Sequence, residues 1–286
     1  QKESKGFTNP IHIFAALIRE KSPNKVNKHT MNQRSKVFKF GGASVKDAEA
    51  IRNVAEILKK YRQEQLMIVL SAMGKTTNAL EKVAEAFFAS KKEEALALFE
   101  QVKNQHLTTA KYLLVTGYLA CERQLRDFFT EAEWLLHDQP IREYDYYYDQ
   151  LVSTGELFST AIVSAYLAET GIPNHWVDVR DIFRTDDDFR DAEIDWAYTS
   201  ARVKEDIMPL FHNHNIVLTQ GFIGSTDENE STTLGREGSD YSAAVFANML
   251  DAESQTIWKD VVSVMNADPK QFPEAVSVPE LNYNEV

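Results

Sequence analysis

Apolar residues in this chain follow two rhythms. Short segments at 36–40, 66–70, 175–179, 216–220 and 255–260 read as strands, and 66–70 is apolar throughout. A run like 66–70, without polar alternation, is what a strand buried on both faces requires. Between them, apolar residues recur every three or four positions. This spacing predicts helices at about 46–61, along a long stretch 78–137, at 150–169, at 196–212 and from about 239 onward. The polar stretch 182–195 fits a small hairpin, and 221–233 reads as a loop. Strands separated by helices imply a three-layer α/β/α sandwich around a mainly parallel sheet. Ligands in such sheets bind beyond the carboxyl ends of the strands.

Charge and cysteine content narrow the partners. Residues 1–36 carry a net charge of +6, so the remainder must carry −18 to give the total of −12. A body that acidic argues against nucleic acid as a general partner. A single cysteine, Cys121, allows no internal disulfide, which fits a reducing, cytoplasmic setting. The apolar run 11–18 is too short to span a bilayer. Arg19, Glu20 and Lys21 follow it at once, so it does not read as a signal peptide either. Residues 1–35 are basic and weakly patterned and read as an N-terminal extension, flexible or non-native, with Met31 just ahead of the first strand. The folded domain is expected over 36–286.

The candidate chemistry sits in turns. Residues 232–244 pack Gly235, Arg236, Gly238, Ser239 and Asp240 ahead of an apolar helical run. Ser239 or Asp240 suits the helix N-cap. A glycine turn feeding a helix N-terminus attracts anions, and Arg236 adds a fork suited to carboxylate or phosphate. At the end of the first strand, Lys39 precedes Gly41-Gly42. That pairing lets backbone N–H groups and an ammonium approach phosphates, and it equally fits a strand-end turn with a solvated lysine. Gly74-Lys75-Thr76 mimics the tail of a phosphate-binding loop, but Val69 stands where that motif needs glycine. Ser71 and Thr77 could meet a substrate or simply serve as turn and cap residues. Glu156, set in an apolar helix beside Gly155, could receive an ammonium or act locally as a cap. Asp260 ends the last strand and could accept hydrogen bonds from a nucleotide's ribose or base. No His/Cys set has metal-ligand spacing.

In order, these pieces resemble the aspartate kinase family of the amino-acid-kinase superfamily. They are Lys39-Phe-Gly-Gly-Ala-Ser-Val45, Leu70-Ser-Ala-Met-Gly-Lys-Thr-Thr-Asn78, Ser153-Thr-Gly-Glu156, Gly221-Phe-Ile-Gly224, Thr232 through Tyr241, and Ile257-Trp-Lys-Asp-Val261. The resemblance implies the amino-acid-kinase (carbamate-kinase-like) fold. It implies transfer of the ATP γ-phosphoryl group to the side-chain carboxylate of L-aspartate, with Mg²⁺ carried in on ATP and no metal site of the protein's own. By position, Lys39 and Asp240 would be catalytic. Ser71, Thr77, Glu156, Arg236, Ser239 and Asp240 would hold aspartate, with Asp240 alternatively positioning Lys39. Lys39, Phe40, Gly41, Gly42, Lys259, Asp260, Met265 and Lys270 would lie at ATP. The resemblance allows a homodimer.

The chain departs from the pattern at several places. Ala43 stands for a threonine and Glu237 where glycine is frequent. Val262-Ser263 replaces an Asp-Gly turn, and Lys270 replaces an arginine. Residues 279–286 read as the start of a helix that the family continues into a Phe-Gly-Ala-Lys stretch and two ACT domains. The expectation is a catalytic domain incomplete at its C-terminus, without ACT domains. A non-catalytic remnant that binds aspartate or nucleotide is the alternative.

Overall fold

All five segments read as strands contain one. The computed structural model describes residues 11–13, 34–259, 265–268 and 270–278. Within these lie β1 (Ile11–Ile13), β2 (Lys36–Phe40), β3 (Leu66–Leu70), β4 (His175–Trp176), β5 (Ile216–Gln220), β6 (Ile223–Ser225), β7 (Ser231–Thr233) and β8 (Ser254–Trp258). Six of them form one sheet in the order β1-β8-β2-β3-β5-β4. The five strands from β8 to β4 pair in parallel, and β1 lies antiparallel along the outer edge of β8.

Period-two geometry divides the strand side chains between two cores. Val37, Met67, Val69 and Val217 pack on one face with Phe183, Val203 and Phe246. Phe38, Phe40, Leu66, Ile68 and Leu218 pack on the other with Leu58, Phe87, Phe99 and Phe158. A one-residue slip in any strand would exchange these sets, so both cores fix the register. The expected three-layer α/β/α sandwich is the observed one.

The helices are α1 (Ala48–Lys59), α2 (Thr76–Phe88), α3 (Lys92–Leu113), α4 (Tyr118–His137), α5 (Tyr144–Val152), α6 (Thr154–Glu169), α7 (Trp196–Arg202) and α8 (Gly238–Met249). The long stretch expected over 78–137 is three helices, not one. Ser90 takes a left-handed φ of 59°, and the Lys91 N–H closes back on the Ala86 carbonyl at 2.9 Å. That is a helix-ending turn built without glycine. At the second break, the Glu169 carboxylate accepts from the N–H groups of Val115, Thr116 and Gly117 at 2.8, 3.0 and 2.7 Å. It satisfies donors that open the next helix. The apolar rhythm runs on through both breaks and so conceals them.

Other boundaries also move. The helix expected from about 150 starts at Tyr144 and turns at Ser153. The strand expected over 175–179 ends at Trp176, because Asp178 caps a 3₁₀ turn by accepting from the Arg180 N–H. Beyond Arg202 the chain continues as a π turn and then a 3₁₀ turn containing Pro209, which has no N–H for a helical bond. The hairpin expected over 182–195 pairs Thr185 with Ile194. The region read as a loop, 221–233, contains a second hairpin, β6–β7. Tyr144–Glu169 is long and apolar enough to cross a membrane, and most of it is buried inside this fold. Most of the expected N-terminal extension lies outside the described residues.

Candidate active site

Three parallel strands deliver their loops to one place. The Ser71 N–H donates to the Phe40 carbonyl at 3.1 Å, Gly221 N–H to Leu70 at 2.8 Å, and Gly74 N–H to Gly42 at 3.0 Å. The carboxyl ends of β2, β3 and β5 are therefore stitched edge to edge. Lys39 shares the face of Val37, which is the face that α8 covers. Its ammonium meets Asp240 Oδ1 at 2.5 Å, and Lys259 approaches Asp240 Oδ2 at 3.4 Å. Burial alone would raise the Asp240 carboxyl; the two lysines outweigh it and hold the group below its usual value. A Cβ on Gly41 would lie 3.6 Å from the Lys39 ammonium, so this backbone and that charge border the same space.

Glu156 sits in the first turn of α6 and is 2% exposed. Its Oε1 accepts from the Ala72 N–H at 3.2 Å, while Oε2 has no hydrogen-bond partner among the described residues. Burial pushes this carboxyl up to about 8, against the opposing pull of the Ala72 N–H and the Lys39 charge. Ser71 Oγ donates to Ser239 Oγ at 3.0 Å, tying the β3 loop to the start of α8. Gly221 is required at this junction. A Cβ there would lie 2.8 Å from both the Ser239 Cβ and a Val69 methyl.

The start of α8 differs from expectation. Neither Ser239 nor Asp240 is the N-cap. Glu237 holds that position at φ 58° and ψ 19°, with no side-chain cap, and both expected residues lie inside the first turn. Gly238 is the first residue of the helix. It packs so closely on Phe222 that a Cβ would meet the ring at 2.7 Å. Arg236 is exposed and has no ion pair or hydrogen bond among the described residues. Thr77 is half-buried in the first turn of α2. Its neighbour Thr76 is buried and donates to the Met73 carbonyl at 2.6 Å, so the Gly74-Lys75-Thr76 stretch is a structural turn.

The remaining expected residues make contacts of their own. The Phe40 ring is buried and stacks on Trp258, with centroids 5.7 Å apart and planes 11° apart. Only its backbone reaches the strand end. Met265 bridges to Ser277. Lys270 is exposed in a turn where its N–H donates to Asp268 Oδ1 at 2.9 Å. Asp260, Val262 and Ser263 lie outside the described residues. Among the described residues no three His, Cys, Asp or Glu side chains converge to hold a metal. A cavity of about 600 Å³, walled by Arg142, Arg184, Asp186, Asp195, Tyr198 and Glu230 among others, shares no residue with the strand-end cluster.

Sequence reasoning missed Asp149, whose carboxylate is wholly buried in α5 and accepts from Thr233 and Arg190. It also missed Ser242, whose hydroxyl accepts from the Phe222 N–H at 2.9 Å. For Asp149 a signal existed. An acid two positions before Leu151-Val152, on the apolar stripe of a helix, has to find donors.

Residues 34–286 match the family model described as the amino acid kinase family. Lysine-sensitive aspartokinase 3 of Escherichia coli (strain K12) is 36% identical over 250 residues, which cover 87% of this chain and 54% of that protein. Aspartokinase 1, chloroplastic, of Arabidopsis thaliana is 33% identical over 286 residues, covering 96% of this chain and 48% of that protein. The crystal structure of E. coli aspartokinase III in complex with aspartate and ADP (R-state) superposes with a TM-score of 0.73 at 33% identity, covering 85% of this chain and 53% of that one. The chain thus spans about half the length of these relatives.

Proposed function

The chain belongs to the amino acid kinase family, and from that premise we propose that it is the catalytic part of an ATP-dependent aspartate kinase. In this reading the γ-phosphoryl group passes from ATP to the side-chain carboxylate of L-aspartate, giving 4-phospho-L-aspartate and ADP. One observation carries it: a buried carboxylate oxygen of Glu156 with no partner among the described residues, beside the Lys39–Asp240 ion pair at the strand ends. A cationic group on a small polar substrate answers the first feature. A phosphoryl group in flight answers the second.

Each side chain then has a task. Glu156 accepts the ammonium of aspartate. Arg236, exposed in the turn before α8 with its guanidinium unused, takes a substrate carboxylate as a planar fork. Ser71, Ser239 and Thr77 offer hydroxyls along the same wall. Lys39 neutralises charge on the transferring group, and Asp240 holds that ammonium in place, which is how phosphoryl transfer is accelerated by position and charge alone. Gly41 and Gly42 bring backbone close to the phosphates. Lys259 and Asp260 are assigned to the nucleotide side, with Lys259 sharing the Asp240 carboxylate. In this reading Mg²⁺ enters as part of the ATP substrate, with Asp240 engaged by Lys39 and Lys259 and Glu156 assigned to the ammonium.

The test is ADP release coupled to L-aspartate in the presence of Mg·ATP. The expected result is turnover that depends on aspartate, falling on the order of 10²-fold or more in Lys39→Ala, as when a donor to transition-state charge is lost. Turnover that ignores aspartate, or a Lys39→Ala variant as fast as the parent chain, overturns the reading.

A further inference from the structure

Asp149 is the sixth residue of α5 and has no exposed surface. Among the described residues no cation pairs with it; its oxygens are satisfied by three donors from two other segments. Oδ1 accepts from the Thr233 hydroxyl at 2.6 Å. Oδ2 accepts from the Thr233 N–H at 2.8 Å and from the Arg190 N–H at 2.9 Å. The next residue, Gln150, reads the other end of the same strand. Its amide donates to the Ser231 carbonyl at 2.8 Å and accepts from the Ser231 N–H at 3.0 Å. Two consecutive residues of α5 thus hold the backbone of β7 from its first residue to its last.

Beyond β7 the chain enters the turn that carries Arg236. Gly235 takes φ +69°, and a Cβ there would fall 2.4 Å from Asp191 Oδ1 and 3.3 Å from the Arg190 carbonyl. The 190–191 segment therefore presses directly on this turn. It is held there by the Asp149 bond to Arg190, which itself sits at a left-handed φ of 74°, and by the Ala192 N–H donating to the Thr233 carbonyl at 3.0 Å. A left-handed non-glycine residue persists only where its surroundings over-determine it. Asp149 is the atom-level junction between that strained segment and the arginine turn.

We propose that Asp149 is a positioning residue: it fixes the Gly235-Arg236-Glu237 turn, and through it the reach of Arg236 toward the substrate carboxylate. The proposal rests on the aspartate-kinase reading for the identity of that substrate, but not for the mechanical link.

The experiment therefore has two arms on the full chain. In the first, hydrogen exchange at the Thr233, Leu234 and Gly238 amides is compared in Asp149→Ala, Asp149→Asn and the parent. Asp149→Ala is expected to speed exchange there by about tenfold or more while α1 is unchanged, since local opening tracks lost local bonds. Asp149→Asn keeps an oxygen for the two N–H donors and can donate its own N–H to the Thr233 hydroxyl, so it is expected to stay near the parent. In the second arm, aspartate-dependent ADP release is expected to show an aspartate KM about tenfold higher in Asp149→Ala, the size of one charged hydrogen bond. The ATP KM is expected to be unchanged and the Asn variant close to normal. A merely structural role would shift both KM values or kcat together and would not spare ATP. If Asp149→Ala does not fold, Thr233→Val removes the shortest bond alone and is expected to shift both readouts the same way, by about threefold. Unchanged exchange at the turn overturns the proposal, as does an aspartate KM that does not rise in a parent that turns over aspartate. A parent with no aspartate turnover sinks the kinase reading, while the exchange arm still decides the link.

Discussion

At the scale of single residues, Glu156 and Asp149 are both buried carboxyls, and they differ in how they are answered. Asp149 has three donors and still rises to about 7, because burial outweighs the Thr233 and Arg190 bonds. Glu156 has one described donor and rises to about 8. For both, the folded state holds its proton to a higher pH than the unfolded chain does. Their contribution to stability is therefore full at low pH and declines as pH climbs, from about 4 to 7 for Asp149 and from about 4.5 to 8 for Glu156. Glu156→Gln removes the upper part of that decline. The expected outcome is a variant more stable than the parent at pH 8, by on the order of a few kcal/mol, with little difference at pH 4. Its aspartate-dependent turnover is expected to be poor. Urea unfolding at the two pH values measures the first effect, and an equal stability gap at both would refute it. Glu237 adds a second local tension. It holds a left-handed φ of 58° at the helix start, a conformation that costs a non-glycine residue roughly 1–2 kcal/mol. This is the position where the sequence resemblance expects glycine frequently, and its backbone angle supplies the physical reason.

At the scale of elements, the sheet was legible from sequence because short strand segments, one of them apolar throughout at 66–70, alternate with helical ones, the pattern of a layered α/β fold. Helix ends were less legible. The break at Ser90 uses no glycine or proline, and the break before Gly117 is made by Glu169, about fifty residues further along the chain. The β6–β7 hairpin was hidden because its strands are three residues each and largely Ser, Thr and Gly, too short and too polar for periodicity to register. Within the site, the paired residues Lys39 and Asp240, Ser71 and Ser239, and the buried Glu156 were legible as turn motifs. Asp149 carried the signal of a buried acid but not of its partners, which lie on two distant segments. The close approach of β5 to α8 yields a prediction at this scale. Gly221→Ala puts a methyl 2.8 Å from the Ser239 Cβ. It is expected to push α8 off the strand ends, at a cost of about 1–3 kcal/mol, and to stretch the Ser71–Ser239 bond. Thermal unfolding together with aspartate turnover checks this: both are expected to fall, and a fully stable, fully active variant would contradict the packing described.

At the scale of the whole molecule, the two cores explain why the site can be polar. Phe38, Leu58, Phe87 and Phe158 on one face, and Val37, Phe183 and Phe246 on the other, clamp the sheet in register. The strand ends can then hold Lys39, Glu156 and Asp240 close together without collapsing, since stability is drawn from elsewhere in the layers. The sheet's two borders are protected differently. At one, β4 is two residues long and offers little backbone to a stranger. At the other, β8 is five residues long and covered by β1. That thin antiparallel strand occupies the backbone groups along the outer edge of β8, and the expectation is that it limits strand-to-strand association there. With residues 1–33 deleted, the outer N–H and C=O groups of β8 become an open template for a neighbour's strand. Light scattering is expected to show concentration-dependent association of the deleted protein beyond that of the parent, and a truncated chain as dispersed as the parent would remove the role of gatekeeper from Ile11–Ile13.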